Sequence, residues 1–297
     1  MSRETIVQAN GVDLCIETLG DSADPAILLV AGTACSMDWW EDGLCERLAA
    51  GGHFVIRYDH RDTGRSVAYE RGAPGYGLRD LAADAVGLLD TLGVARVHLV
   101  GMSLGGWIGQ LLALDHPDRI ASLTLISTRP VGPGPNDPDL PELTEEILAV
   151  FSEEAPDPDW CDRAAVIEYI VEGGPPFAAS SRPYDDAGVR EIAGRVFDRT
   201  TDIAASMTNH FVIEGGRGLA GAARGGRRAD ARPPRHRGSL FPYGNAVALE
   251  REIPGARLIA LEGTGHELPR AAWEIVVPAI LQHSTEHTGS ERMRPSP

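Results

Sequence analysis

The sequence predicts an α/β fold: a mostly parallel, doubly wound sheet carrying a helical insertion. Three observations lead there. Short runs of buried-strand character stand at 26–30, 53–58 and 97–101; helical periodicities follow them at 80–92 and 106–116; and from 130 to 211 helix-forming stretches replace the alternation. Strands that are apolar on both faces belong to a helix-covered parallel sheet, because parallel neighbours need crossover helices. With 297 residues, 43% of them hydrophobic, the chain has enough core for one large domain or two modest ones.

Residues 11–19 alternate like an exposed strand, and Ala26-Ile27-Leu28-Leu29-Val30 is a continuous apolar run between Asp24-Pro25 and Gly32. A helix is expected from Trp39 to Ala49, then through Gly51-Gly52 a strand from His53 to Tyr58. The spacing of Leu81, Ala85, Leu88 and Leu89 predicts a helix over 80–92, with Gly93 as its stop. Strand 97–101, helix 106–116 and strand 123–126 complete the first part. Beyond Arg129 the texture turns to Pro, Gly, Asp and Glu with a short helical piece at 143–151, and 160–211 is mostly helical around Pro175-Pro176. This assigns 1–129 and 212–283 to the sheet core and 130–211 to a helical cap or lid. A last strand is expected at 256–261 and a last helix at 271–282, with 284–297 a polar, disordered tail.

Composition excludes several chemistries. All 27 basic residues are Arg, so no lysine exists to form a Schiff base, anchor pyridoxal phosphate or serve a phosphate-cradling loop. A net charge of −16 repels nucleic acid and anionic membranes at long range. Cys15, Cys35, Cys45 and Cys161 show neither a zinc spacing nor a disulfide framework and read as reduced residues. No apolar stretch reaches membrane-spanning length and the first residues lack a signal core, so the expectation is a cytoplasmic protein with no cofactor, metal, nucleic-acid or membrane partner.

Gly101-Met102-Ser103-Leu104-Gly105 fits G-x-S-x-G between a predicted strand and a predicted helix. That context needs small residues where strand and helix approach, and it presents the Ser103 hydroxyl at the carboxyl edge of the sheet beside a helix N-terminus. A serine hydroxyl needs a base. Of the nine histidines, His266 alone follows a predicted strand through a Gly-rich turn, 261–267, to the same edge; His60 and His116 read as loop bystanders, and His283 and His287 lie at the tail. The oxyanion formed on attack needs two N–H donors. Leu104, after the nucleophile, and Thr33, where Gly32 lets the backbone turn inward, are the candidates.

These residues resemble the α/β-hydrolase family over roughly 8–130 and 240–283. Within it, the runs 58–66, 100–106 and 113–119 are similar to the aclacinomycin methyl esterase group of anthracycline-tailoring enzymes. The resemblance implies hydrolysis of a methyl ester on a polycyclic polyketide, a small hydrophobic substrate, by way of an acyl-enzyme. Trp39, Trp40, Trp107 and Phe177 could line a pocket for flat rings or belong to the core. The charged residues of 59–66 are expected to hold loops together rather than touch substrate. A serine nucleophile excludes the dehalogenase and epoxide-hydrolase branches, which use aspartate; lactonase, thioesterase, cofactor-free haloperoxidase and C–C hydrolase chemistries stay open.

The family also implies an acid after the penultimate strand, just before Leu240, to orient the histidine. It is absent. From Glu214 to Ser239 the chain has one large aliphatic residue, Leu219, and seven arginines between 217 and 237; Asp230 is the sole acid there and a weak candidate. Unpaired guanidinium groups and Pro233-Pro234 forbid a buried strand. Three readings stand open: a functional basic loop; a natural variant without its acid, which would make the chain a catalytically impaired binding protein; and a local frameshift over 216–239. Reading the codons one base later permits an apolar run of the Val-Pro-Leu-Val-Ile-Ala type that would restore the strand. Oligomeric state and the ester itself stay unassigned.

Overall fold

The computed structural model describes residues 4–131, 140–141, 143–152, 156–214 and 240–289. Six strands are present: β1 (Thr5–Ala9), β2 (Val12–Leu19), β3 (Ala26–Val30), β4 (Phe54–Tyr58), β5 (Val97–Met102) and β6 (Ile120–Ile126). They form one sheet in the order β1-β2-β4-β3-β5-β6, antiparallel at β1/β2 and β2/β4 and parallel from β4 to β6. β1 is an addition to the expected elements. Its residues are mostly exposed, so the apolar signal that reveals a central strand is missing there.

β3 shows why the sheet is covered on both sides. Ile27 and Leu29 pack on one face with α1 (Asp42–Ala50) and α9 (Trp273–Gly289), while Leu28 and Val30 pack on the other with α2 (Leu78–Thr91) and α3 (Leu104–Asp115). All five residues of β3 are buried, each large aliphatic side chain contributing about 2 kcal/mol. Local signals set the helix ends. The Asp80 carboxylate accepts the Gly77 N–H at the start of α2, and Gly93, at φ +67°, stops it.

Between β6 and α8 (Gly244–Glu252) lie α4 (Glu145–Ser152), α5 (Arg163–Gly173), α6 (Asp186–Arg199) and α7 (Ile203–Ser206). The Asp162, Asp185 and Asp202 side chains cap α5, α6 and α7. This insertion packs against loops at the carboxyl ends of β3 and β4. Arg199 of α6 donates to Glu4 at 2.6 Å and to Asp59 at 2.9 Å, and also pairs with Asp38. Asp59 in turn accepts the N–H groups of Met37 at 2.8 Å and Arg65 at 3.0 Å. Asp84 receives a two-pronged bond from Arg61 at 2.6 and 2.7 Å, and Asp62 accepts from Tyr76 at 2.6 Å. Apart from exposed Arg65, the charged loop 59–66 is buried scaffolding, and a Cβ on Gly64 would collide with the Asp59 carboxylate at 2.0 Å.

Two sequence expectations fail. Residues 256–261 form no strand: their run is largely exposed, with Ile259 53% accessible, because a strand exists only in a ladder and no described strand lies beyond β6 to pair with it. The expected tail also begins too early. α9 runs on to Gly289, and buried Ser284 meets His53 Nε2 at 2.8 Å, which anchors the extra turns. The anomalous stretch 216–239, with Asp230, lies outside the described residues. Among those described, no helix is long and apolar enough to cross a membrane.

Arg199 joins the insertion to three carboxylates, one of them fully buried Asp59. Arg199→Met leaves that charge without its partner and is expected to lower unfolding free energy by about 3 kcal/mol in urea titrations. A loss under about 1 kcal/mol would show that the network contributes no net stability.

Candidate active site

The site starts from a steric constraint. β5 ends at Met102 and α3 begins at Leu104, so the chain reverses through one residue, Ser103, at φ +54° and ψ −115°. A side chain in that region is strained, and the surroundings enforce it. A Cβ on Gly101 would lie 2.2 Å from the Gly105 carbonyl oxygen, and one on Gly105 would lie 2.1 Å from that of Val30. One on Gly106 would meet Thr128 Cγ2 at 2.6 Å. Ser103 N–H donates to Ile126 C=O at 3.0 Å, and its own C=O accepts from Gly106 N–H at 2.9 Å and Thr128 Oγ1 at 2.8 Å. With its backbone held on both sides, Ser103 turns its hydroxyl to His266, whose Nε2 lies 3.0 Å from Oγ.

His266 is carried by a loop that no described strand leads into. The insertion holds it instead: His266 N–H donates to Phe177 C=O at 2.7 Å, and the Glu267 carboxylate accepts Ala179 N–H at 3.0 Å and pairs with Arg182. The Phe241 ring stands edge-on to the imidazole, centroids 5.4 Å apart at 81°, and Trp107 backs Phe241 at 6.2 Å. His266 Nδ1 is buried and has no hydrogen-bond partner among the described residues. Burial lowers the imidazole to about 4, and no charge among the described residues raises it.

The third part is the loop after β3. Gly32 C=O accepts Cys35 N–H at 3.2 Å and Ala34 stands at φ +58°, the pattern of a type II turn with Thr33 at its first central position. A Cβ on Gly32 would be only 3.5 Å from Ser103 Cβ, so this turn runs beside Ser103. Leu104 is the first residue of α3, and its N–H has no acceptor within the helix.

The structure therefore brings Ser103, His266, Leu104 and the Thr33 turn together. Asp230 falls outside the described residues. Trp40 and Trp107 are buried core; Trp39 packs against α5 and α6, and Phe177 lies 6.1 Å from Phe151. His60 is not the solvated bystander that its loop position suggests: it is buried, as is His210, and both bond to the turn beside Ser103. Its place directly after a buried strand was the available signal. His116 is exposed, as expected.

Comparison with known proteins agrees with this architecture. The family profile described as "alpha/beta hydrolase fold" matches residues 25–157. The chain is 35% identical to rhodomycin D methylesterase of Streptomyces sp. (strain C5), over 95% of this chain and 98% of that one. It is also 35% identical to the methylesterase of the same name from Streptomyces peucetius, over 93% and 96%. Among solved structures, an esterase from Exiguobacterium antarcticum superposes with a TM-score of 0.67 at 19% identity, covering 95% of this chain and 99% of its own. A glycine-walled serine turn between parallel strand and helix, and relatives alike over almost their whole length, make this chain a member of the α/β-hydrolase family.

Proposed function

We propose that the chain is a serine esterase whose nucleophile is Ser103 and whose general base is His266, and that its substrate is the methyl ester of a polycyclic polyketide. The 3.0 Å contact between Ser103 Oγ and His266 Nε2, on a turn that admits no relaxation, carries the reading. The substrate class rests on the two relatives named rhodomycin D methylesterases, which share most of their length with this chain.

His266 Nε2 takes the hydroxyl proton as Oγ attacks the ester carbonyl. The oxyanion meets the N–H groups of Leu104 and Thr33, with the N-terminus of α3 adding its partial positive charge. Collapse breaks the bond to the alkoxy oxygen, His266 returns the proton, and methanol leaves. Water activated by the same imidazole then cleaves the acyl-enzyme and frees both acid and Ser103. The helical insertion 130–211 serves as the lid over this chemistry, since its Phe177–Arg182 segment holds the base in place.

The weak point is Nδ1. In a complete triad a carboxylate accepts its proton and stabilises the imidazolium; here the described residues supply none. Loss of that acid costs on the order of 10⁴ in turnover while sparing the oxyanion hole. The same orphan nitrogen favours a second reading, a hydrolase-shaped binding protein with vestigial chemistry.

A fluorophosphonate probe separates the two. Wild-type protein is expected to take one label, lost in Ser103→Ala and His266→Ala; a folded wild type that takes no label would establish the binding protein. The pH profile gives an independent check. Only the neutral imidazole accepts the proton, so lowering its pKa to about 4 shifts the acid limb of ester turnover down to about pH 4 from near the ordinary 6.5. Replacing 216–239 with an apolar run of the one-base-shifted type that ends in an Asp just before Leu240 is expected to raise turnover by about 10⁴ and to move that limb upward, because an anionic neighbour favours the charged ring. An unchanged rate and limb would mean that the acid is not what the chain lacks.

A further inference from the structure

Two buried histidines flank the turn beside Ser103, and the mechanism above leaves both unused. His60, two residues past β4, places Nε2 at 3.1 Å from the Ala31 carbonyl, at the entry to the turn. His210, in the short 3₁₀ turn Asn209–Phe211 that ends the helical insertion, places Nδ1 at 3.0 Å from Ala34 N, at the exit. The His210 ring also places Nε2 at 2.8 Å from the Arg61 carbonyl. The partners fix the tautomers. An amide N–H only donates, so His210 Nδ1 carries the lone pair and its Nε2 carries the hydrogen that a carbonyl can accept. The Ala31 carbonyl likewise demands a hydrogen on His60 Nε2. The two rings meet edge to face, 5.8 Å apart at 76°.

We infer that His60 and His210 are positioning residues for the oxyanion hole, a pair of neutral imidazoles that hold residues 31–34 at both ends so that the Thr33 N–H stays aimed at the reacting carbonyl oxygen. This rests on the hydrolase reading of Ser103. The turn needs such a hold because Ala34 stands at φ +58°, where a β-carbon is strained and a free loop would relax. The insertion supplies a rigid mount for His210. Its neighbour Asn209 donates to the Asp62 carboxylate at 3.0 Å and to Glu70 C=O at 3.2 Å, and accepts Gly72 N–H at 2.7 Å. The groups facing the pair favour neutral rings: Tyr58 lies 5.0 Å from His60, Tyr76 lies 6.4 Å from His210, and the Asp62 carboxylate does not offset the burial of His210. Burial lowers His60 to about 3 and lowers His210 as well.

The test reads Ser103 phosphonylation by a fluorophosphonate across a concentration series, which separates the affinity of the probe from its maximal labelling rate. Thr33→Pro is the reference: proline suits the first central position of a type II turn and removes the N–H, with the hydroxyl, while keeping the turn. His210→Phe keeps a ring of similar size without either hydrogen bond, and His210→Asn keeps an acceptor near the Nδ1 position. Thr33→Pro and His210→Phe are expected to lower the maximal rate by about 10- to 100-fold with half-saturation within twofold of wild type, while His210→Asn stays within threefold of the wild-type rate. A folded Phe variant that labels at the wild-type rate overturns the inference. Should the Phe variant fail to fold, a folded Asn variant as slow as Thr33→Pro overturns it equally. Labelling absent in the wild type sinks the hydrolase reading and this inference together; labelling present but indifferent to His210 sinks this one alone.

Discussion

The structure depends on a distance too short for a methyl group. Where β5 turns into α3, the backbone of the helix presses against both the strand that leads into it and the neighbouring strand β3, and no Cβ fits at Gly101 or Gly105. The main chain passes through φ +54° at Ser103 as a result. That contact sets how closely α3 lies on the sheet, hence how Leu104 and Trp107 enter the core, and it places the loop after β3 within reach of the serine. A side chain at either glycine would force the helix away and with it the whole carboxyl edge.

Around this close contact the molecule is built asymmetrically. The serine and the turn beside it are held by strands, by the buried loop 59–66 and by two imidazoles that each bond to the turn. The histidine opposite is held by the insertion, through Phe177 and through the Ala179 and Arg182 contacts of its neighbour Glu267, and by the Phe241 ring, and its Nδ1 has no partner among the described residues. Ser103 and the loop after β3 are fixed by the sheet, whereas His266 sits on a loop that no described strand leads into.

What could be read from the amino-acid order follows the same division. The central strands were legible because β3 and β4 are buried on both faces and declare it in residue type, and α2 because Leu81, Ala85, Leu88 and Leu89 share one face. Ser103 was legible through its glycines and His266 through the Gly-rich turn before it. The strand expected at 256–261 was misjudged since an apolar run records only what the chain would bury, whereas a strand also needs a partner, which periodicity does not report. His60 and His210 escaped for a related reason. They are 150 positions apart in sequence and gain meaning only where the insertion's last turn returns to the sheet.

The backbone strain around Ser103 bears on what kinds of change the protein tolerates. Ala34, Ser103 and Ser127 all stand at φ between +44° and +58°, so three non-glycine residues in an uncomfortable conformation lie together at the carboxyl edge of the sheet. At Ala34 a glycine would relieve about 1–2 kcal/mol of backbone strain but give back about 0.4–1 kcal/mol through the greater freedom of the unfolded chain. The net gain is small, and the price is a turn no longer stiff between its two imidazoles. Selection for heat resistance and selection for a stiff turn would therefore disagree at residue 34, even though the substitution removes a single methyl group.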